Sequence, residues 1–345
     1  MSRPGYLRAK VISPGEQNIC LILEQSLNRL AHFFIQWFDA EHGVSSTKIH
    51  GTGADKIDWL RCLPFLLLHL ACFAILWVGW SATAVSAAIA LYLVRMFAIT
   101  GVYHRYFSHR TYRTSRWLQF VLAVLGASSA QRGPLWWAAH HRDHHKFSDT
   151  QPDPHSPVRH GFWRSHVGWF MTGRHFATEY RRVQDLAKYP ELVWLNRYDV
   201  VVPVSLAVLL YFAGRWLEFA APSLAVSGGQ MLVWGFFVST TALFHATASI
   251  NSLAHLFGGR RYDTGDDSRN NFLLALLTLG EGWHNNHHKF MSCTRQGFYW
   301  WEIDLTYYAL KLLAWTGLIW DLKAVPARAY DRSGQLSAEE LAPAA

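Results

Sequence analysis

The chain holds only four cysteines in 345 residues, Cys20, Cys62, Cys72 and Cys293, and no two of them form a pair motif. That excludes a disulfide framework and an iron–sulfur cluster held by the chain's own thiolates. Acidic residues are scarce too: 24 Asp and Glu stand against 32 Lys and Arg, a formal charge of +8. There is no glycine-rich phosphate cradle or dinucleotide fingerprint, no fused haem-binding segment, no internal repeat and no nucleic-acid module. The basic excess is therefore assigned to loops that meet anionic lipid or an acidic partner. The N-terminus, MSRPGYLRAK, lacks the apolar core and cleavage site of a signal peptide.

What the chain has in excess is apolar and aromatic, at 51% and 15% of residues, which is high for a soluble enzyme. These residues are clumped. Residues 64–80 and 82–102 are separated only by Ser81, which predicts a tight hairpin of two spanning helices, and a second pair follows at 200–217 and 229–250. Each run is near the ~20 residues needed to cross a hydrocarbon core. The expected fold is an all-α integral membrane protein of four spans, with an N-terminal segment over 1–58, one main domain over 59–323 and a polar tail over 324–345. Residues 19–38 place Ile19, Leu23, Leu27, Leu30 and Phe34 at helical spacing but interrupt them with Glu24, Asn28 and Arg29, so this helix should lie on the membrane rather than cross it.

Loop charge orients the spans. Residues 103–198 carry fourteen Lys or Arg against six Asp or Glu, while 218–228 carries no basic residue. By the positive-inside tendency the long loop is cytoplasmic, and with four spans both termini are as well.

Histidine is the unusual polar residue, with nineteen copies. Two segments, AHHRDHHKFSD and EGWHNNHHKF, repeat the pattern HxxHH at His141, His144 and His145 and at His284, His287 and His288. HRYFSH adds His104 and His109 just beyond the second span, and NSLAH adds His255 just beyond the fourth. All four clusters fall on one side of the membrane. In HxxHH, residues i, i+3 and i+4 share a helix face, so three imidazoles can point at one place. HxxxxH separates its ends by roughly 140° on an ideal helix, which requires a distortion or a second metal. This is too many imidazoles for one tetrahedral ion, and two metals are the economical reading. His32, His42, His50, His69, His140, His155, His160, His166, His175 and His245 lie outside the scheme and are expected to be surface or core-satisfied imidazoles.

On HRYFSH, HHRDHHKFSD, SHVGW, NSLAH and EGWHNNHH, the chain resembles the membrane-bound fatty acyl desaturases of the Δ9 type from about residue 60 to 323. The resemblance implies four spanning helices capped by a helical cytoplasmic domain, and two irons bound by nine histidines. Here these are His104, His109, His141, His144, His145, His255, His284, His287 and His288, and Asn251 of NSLAH would reach one iron through a water. It also implies a long-chain acyl substrate, carried by CoA or a phospholipid in the membrane, to which the enzyme adds a cis double bond. The chain departs from the acyl-CoA members at Ala139 and His140, where they carry an Arg-Asp pair, and at Gly173, where they carry a basic residue. Phospholipid-bound chains therefore compete with acyl-CoA as substrate.

Taking hydrogen from an unactivated methylene needs a metal that activates dioxygen. Imidazoles alone would admit Zn, Cu, Fe or Ni, and the redox requirement favours iron. Asp149, Asp153, Asp266, Asp267 and Glu281 are candidates to orient the imidazoles, and Trp137, Trp163, Trp169 and Trp283 to line an acyl tunnel. Electrons must come from a separate ferredoxin, rubredoxin or small haem cytochrome with its reductase. The expected setting is a bacterial inner membrane. Two other readings stay open. Alkane and fatty acid hydroxylases use similar boxes with other spacings, and a metal transporter or sensor would place ligands inside its spans, where only His69 and His245 lie.

Overall fold

The computed structural model describes residues 34–43 and 54–330. Most of the interfacial helix expected over 19–38, with Cys20, His32 and His50, lies outside them, as does the tail beyond 330.

Four helices are long and apolar enough to cross a membrane: α1 (Trp59–Val78), α2 (Ala82–Ser108), α5 (Val201–Ala220) and α6 (Gly228–Leu253). Between α2 and α5 lie α3 (Arg116–Ala127) and α4 (Pro134–Phe147). After α6 come the short α7 (His284–Lys289) and α8 (Leu305–Trp315). A two-stranded antiparallel pair, Arg113–Thr114 with Ile319–Trp320, ties the end of the chain to the turn after α2.

The α1–α2 hairpin forms where expected. Gly79 takes a left-handed φ of 67°, open to it because it has no Cβ, and the Ser81 side chain caps α2 by accepting from Ala84 N–H. The spans differ from the sequence reading at their ends: α1 begins five residues earlier than 64, and α2 runs six further than 102. His104 therefore sits on α2 itself, not beyond it. The last stretch of α2, Ala98–Ser108, is π-helical, with i→i+5 bonding.

The helix carrying the second box is started from a distance. Asn196 Oδ1 accepts from Leu135 N at 3.1 Å and Trp136 N at 2.8 Å, doing for α4 what an N-cap side chain would do, with Pro134 in the first turn. Gly133 is required there, because a Cβ would come within 2.4 Å of Asn196 Cα. The main buried cluster lies under this region, with Tyr103, Phe107, Leu122, Leu135, Leu192 and Leu310 joining α2, α3, α4 and α8. The histidine-bearing ends of α2 and α4 thus stand on packed supports.

Candidate metal centre

The nine histidines of the four boxes gather into two adjacent groups. His104, His109, His141, His145 and His287 form one, and His144, His255, His284 and His288 form the other, with ligand atoms in each group within 4.8 Å of one another. Each HxxHH box is divided between the groups rather than aimed at one point, which corrects the sequence expectation. On α4 the i,i+4 pair His141 and His145 serves the first group and His144 the second. On α7 the pair His284 and His288 serves the second and His287 the first. Side chains one position apart on a helix diverge by about 100°, so His144 and His145 cannot share a centre, and neither can His287 and His288.

The π-helical end of α2 resolves the HxxxxH geometry. His109 N–H donates to His104 O at 3.2 Å, an i+5 bond that brings the two residues nearly one above the other. Their ring centroids are 4.8 Å apart, and both join the first group.

Four of the five candidate carboxylates orient imidazoles. His104 Nδ1 meets Glu281 at 2.5 Å, His144 Nδ1 meets Asp153 at 3.1 Å, His255 Nδ1 meets Asp149 at 2.7 Å and His288 Nδ1 meets Asp266 at 2.6 Å. The fifth, Asp267, pairs instead with Arg260 at 3.6 Å, and its backbone N–H donates to Asp149. A neutral imidazole that donates from Nδ1 keeps a lone pair on Nε2. Across the two groups, Nε2 atoms face one another, with or without a carboxylate on Nδ1: His104 and His287 at 3.0 Å, His109 and His141 at 2.8 Å, His145 and His287 at 2.9 Å, His255 and His284 at 3.0 Å. Nε2 of His144 and Nε2 of His288 are buried with no partner. Buried imidazole nitrogens converging at such separations, two of them unpartnered, are the donors that a metal ion takes, so this set fits metal ions.

Protonation agrees with that fit. Burial, then repulsion among neighbouring imidazoles, holds His109, His141, His145, His284 and His287 well below the ordinary histidine range, so they are neutral at pH 7. Burial alone would raise Asp153 and Asp266, but His144 and His288 outweigh it and hold both carboxyls below their usual range.

A cavity of about 790 Å³ runs from the groups down among the spans. His104, His141, His144, His284 and Asn251 line its inner end, and Met96, Ile99, Phe236 and Phe237 line its apolar depth. Trp137 and Trp169 line it as expected, with Trp137 stacked on His141 at 5.0 Å. Trp163 is 74% exposed, and Trp283 donates to Ile303 O away from the cavity. Asn251 stands one helical turn before His255, among the cavity walls.

Sequence reasoning missed several supports. Arg105 binds Glu281 and Asp304 together, and Gln296 donates to Glu281 at 2.9 Å. Asn286, between two box histidines, donates to Gln296 O and Glu302. His155 is buried beside Asp153 at 3.3 Å. These partners lie far apart in the chain or carry no spacing signal. Of the other histidines, His69, His245 and His166 form a hydrogen-bonded row with 3.0 Å N–N steps that ends on Ser252, satisfied as expected.

Comparison with known proteins agrees with this geometry. Residues 78–315 match the family model described as fatty acid desaturase. The chain is 38% identical over 271 residues to the sn-1 stearoyl-lipid 9-desaturase of Anabaena variabilis, covering 78% of this chain and 94% of that one. It is 40% identical over 291 residues to an acyl-CoA 5-desaturase of Anemone leveillei, covering 80% and 85%. It is 36% identical over 309 residues to the sn-1 stearoyl-lipid 9-desaturase of Synechocystis, covering 86% and 89%. A match over most of the chain, with relatives at this identity along nearly their whole length, makes this protein a member of the fatty acid desaturase family, an oxidoreductase of lipid metabolism.

Proposed function

We propose that this protein introduces a cis double bond, at Δ9, into a long saturated acyl chain carried by CoA or a phospholipid, using dioxygen and an external electron carrier. One –CH2–CH2– unit, one dioxygen, two electrons and two protons become one cis –CH=CH– unit and two waters. The observation that carries this reading is the cavity, which is apolar among the spans and ends against the two histidine groups. An extended hydrocarbon chain fits such a wall, and a polar substrate does not.

The nine histidines are the proposed ligands of two irons, with Asn251 reaching one of them through a water. When bound, the irons supply the oxidising power toward a methylene that no side chain has. The chain's own residues do the rest. Glu281, Asp149, Asp153 and Asp266 hold the imidazole rings and their tautomers, Trp137 packs against His141 at the cavity wall, and Phe236 and Phe237 keep water from the acyl chain.

The relatives' names include both lipid-bound and CoA-bound substrates. In this chain the residues at those positions favour the lipid. His140 is held well below the ordinary histidine range by burial and by His175, so it brings no positive charge to a CoA phosphate. Ala139 is buried and apolar, and Arg174 is engaged bidentately by Asp55 at 2.8 and 2.9 Å. The basic excess of residues 103–198 supports a cytoplasmic metal site and cytoplasmic termini in a bacterial inner membrane.

Iron analysis of the purified protein, with mass spectrometry of product from a labelled saturated chain, tests the reading. Close to two irons and a product two hydrogens lighter are expected. Gain of one oxygen would establish hydroxylation instead.

A further inference from the structure

The two histidine groups differ in exposure. The second is wholly buried, whereas His109, His141 and His145 of the first are only partly so. His141 opens into the acyl cavity, but His109 and His145 do not line it. Their exposed edges therefore lie outside the acyl cavity.

A connected set of charges surrounds those edges. Arg110 and Arg142, from the segments that carry His109 and His145, share the carboxylate of Asp185 at 3.2 and 2.7 Å. Arg142 also donates to Arg182 O at 2.7 Å, and Arg182 pairs with Asp143 at 2.5 Å. Lys146, next to His145, and Arg182 both lie over the Phe147 ring, at 5.1 and 5.9 Å. Four cations thus stand against two carboxylates, and Lys146 is exposed and makes no close ion pair among the described residues.

We infer that this patch is the docking surface for the electron donor, an acidic one-electron iron–sulfur or haem protein, and that the donor comes closest to the centre at His109 and His145. The inference rests on the desaturase reading, which needs two electrons per turnover. Each reduced carrier is oxidised by one electron, so two must dock in succession, and a carrier that docks, delivers and leaves is best held by surface charge, which speeds encounter without slowing release. An anionic membrane is the other partner such charge could meet, but the patch borders the partly exposed ligands of the centre, where electrons must enter.

The test uses the full-length, metal-loaded protein in nanodiscs of uncharged lipid, with a plant-type [2Fe–2S] ferredoxin as probe. Wild type should bind oxidised ferredoxin with an affinity that falls steeply between low and physiological salt. The Lys146→Glu/Arg182→Gln double variant, and Lys146→Gln more mildly, should weaken binding, the double by about tenfold, and raise the KM for ferredoxin in parallel. Arg215→Gln, beside Glu218 on α5, should bind as wild type does. Metal content, read for each variant, reports whether the centre is intact. No ferredoxin binding by wild type, an unchanged affinity in the double variant, or binding of anionic vesicles in place of ferredoxin would overturn the proposal. A single turnover after chemical reduction, which needs no docking, separates this from the desaturase reading: failure of wild type there would sink that reading instead.

Discussion

His104 Nδ1 lies 2.5 Å from Glu281 Oε2, a contact between the last turns of α2 and the segment before α7, although the two residues are far apart in the chain. Glu281 is at the same time bonded to Arg105, at 3.1 Å, and to Gln296. One carboxylate thus fixes an imidazole of the first group while its own burial is offset by a guanidinium.

Glu281→Gln should loosen that ring and lower metal affinity about 10–100-fold, as should Asp149→Asn and Asp266→Asn for the second group. Metal retained after dialysis against a chelator checks this. Asp267→Asn, whose carboxylate touches only Arg260, should retain metal as wild type does.

Because each box is shared between groups, single histidine changes should act on one group at a time. His287→Ala should deplete the first group and His144→Ala the second, each lowering bound metal from about two toward one per chain and abolishing desaturation. His140→Ala, in neither group, should keep its metal and much of its activity. Full desaturation by His144→Ala or His287→Ala would contradict the assignment.

Arg105 is fully buried between Glu281 and Asp304, binding Asp304 at 2.9 and 3.0 Å. Arg105→Met leaves two carboxylates without their cation and should destabilise the protein by about 3–5 kcal/mol. Thermal unfolding in detergent measures the loss. Arg105→Lys should recover little of it, since an ammonium cannot reproduce a two-pronged contact.

The enzyme should discriminate between carriers. With His140 neutral and Ala139 in place, each missing contact to a CoA phosphate is worth roughly 1.5–3 kcal/mol, one to two powers of ten in affinity. Reduced enzyme given labelled acyl-CoA or labelled phospholipid, with acyl exchange blocked, should convert the lipid-bound chain. Conversion of CoA thioester alone would reject this preference and leave desaturation untouched.

Reading the chain by itself was enough for four spans, the nine histidines and their placement on one side, because span length and local spacing are properties of short stretches of sequence. Four carboxylates were found by proximity to the boxes, and the same reasoning chose Asp267, which turned away to Arg260. Proximity along the chain does not say which way a side chain points. Tertiary structure decided how the imidazoles are shared, since His144 and His287 reach their groups only because α4 and α7 bring opposite faces together. It also placed His104 over His109 through a π-helical bond, and paired His104 with Glu281 and Arg105 with Asp304. Those contacts join residues far apart in sequence, and they form only in a packed interior that exists once the helices have met, where pairing offsets the cost of burying each charge.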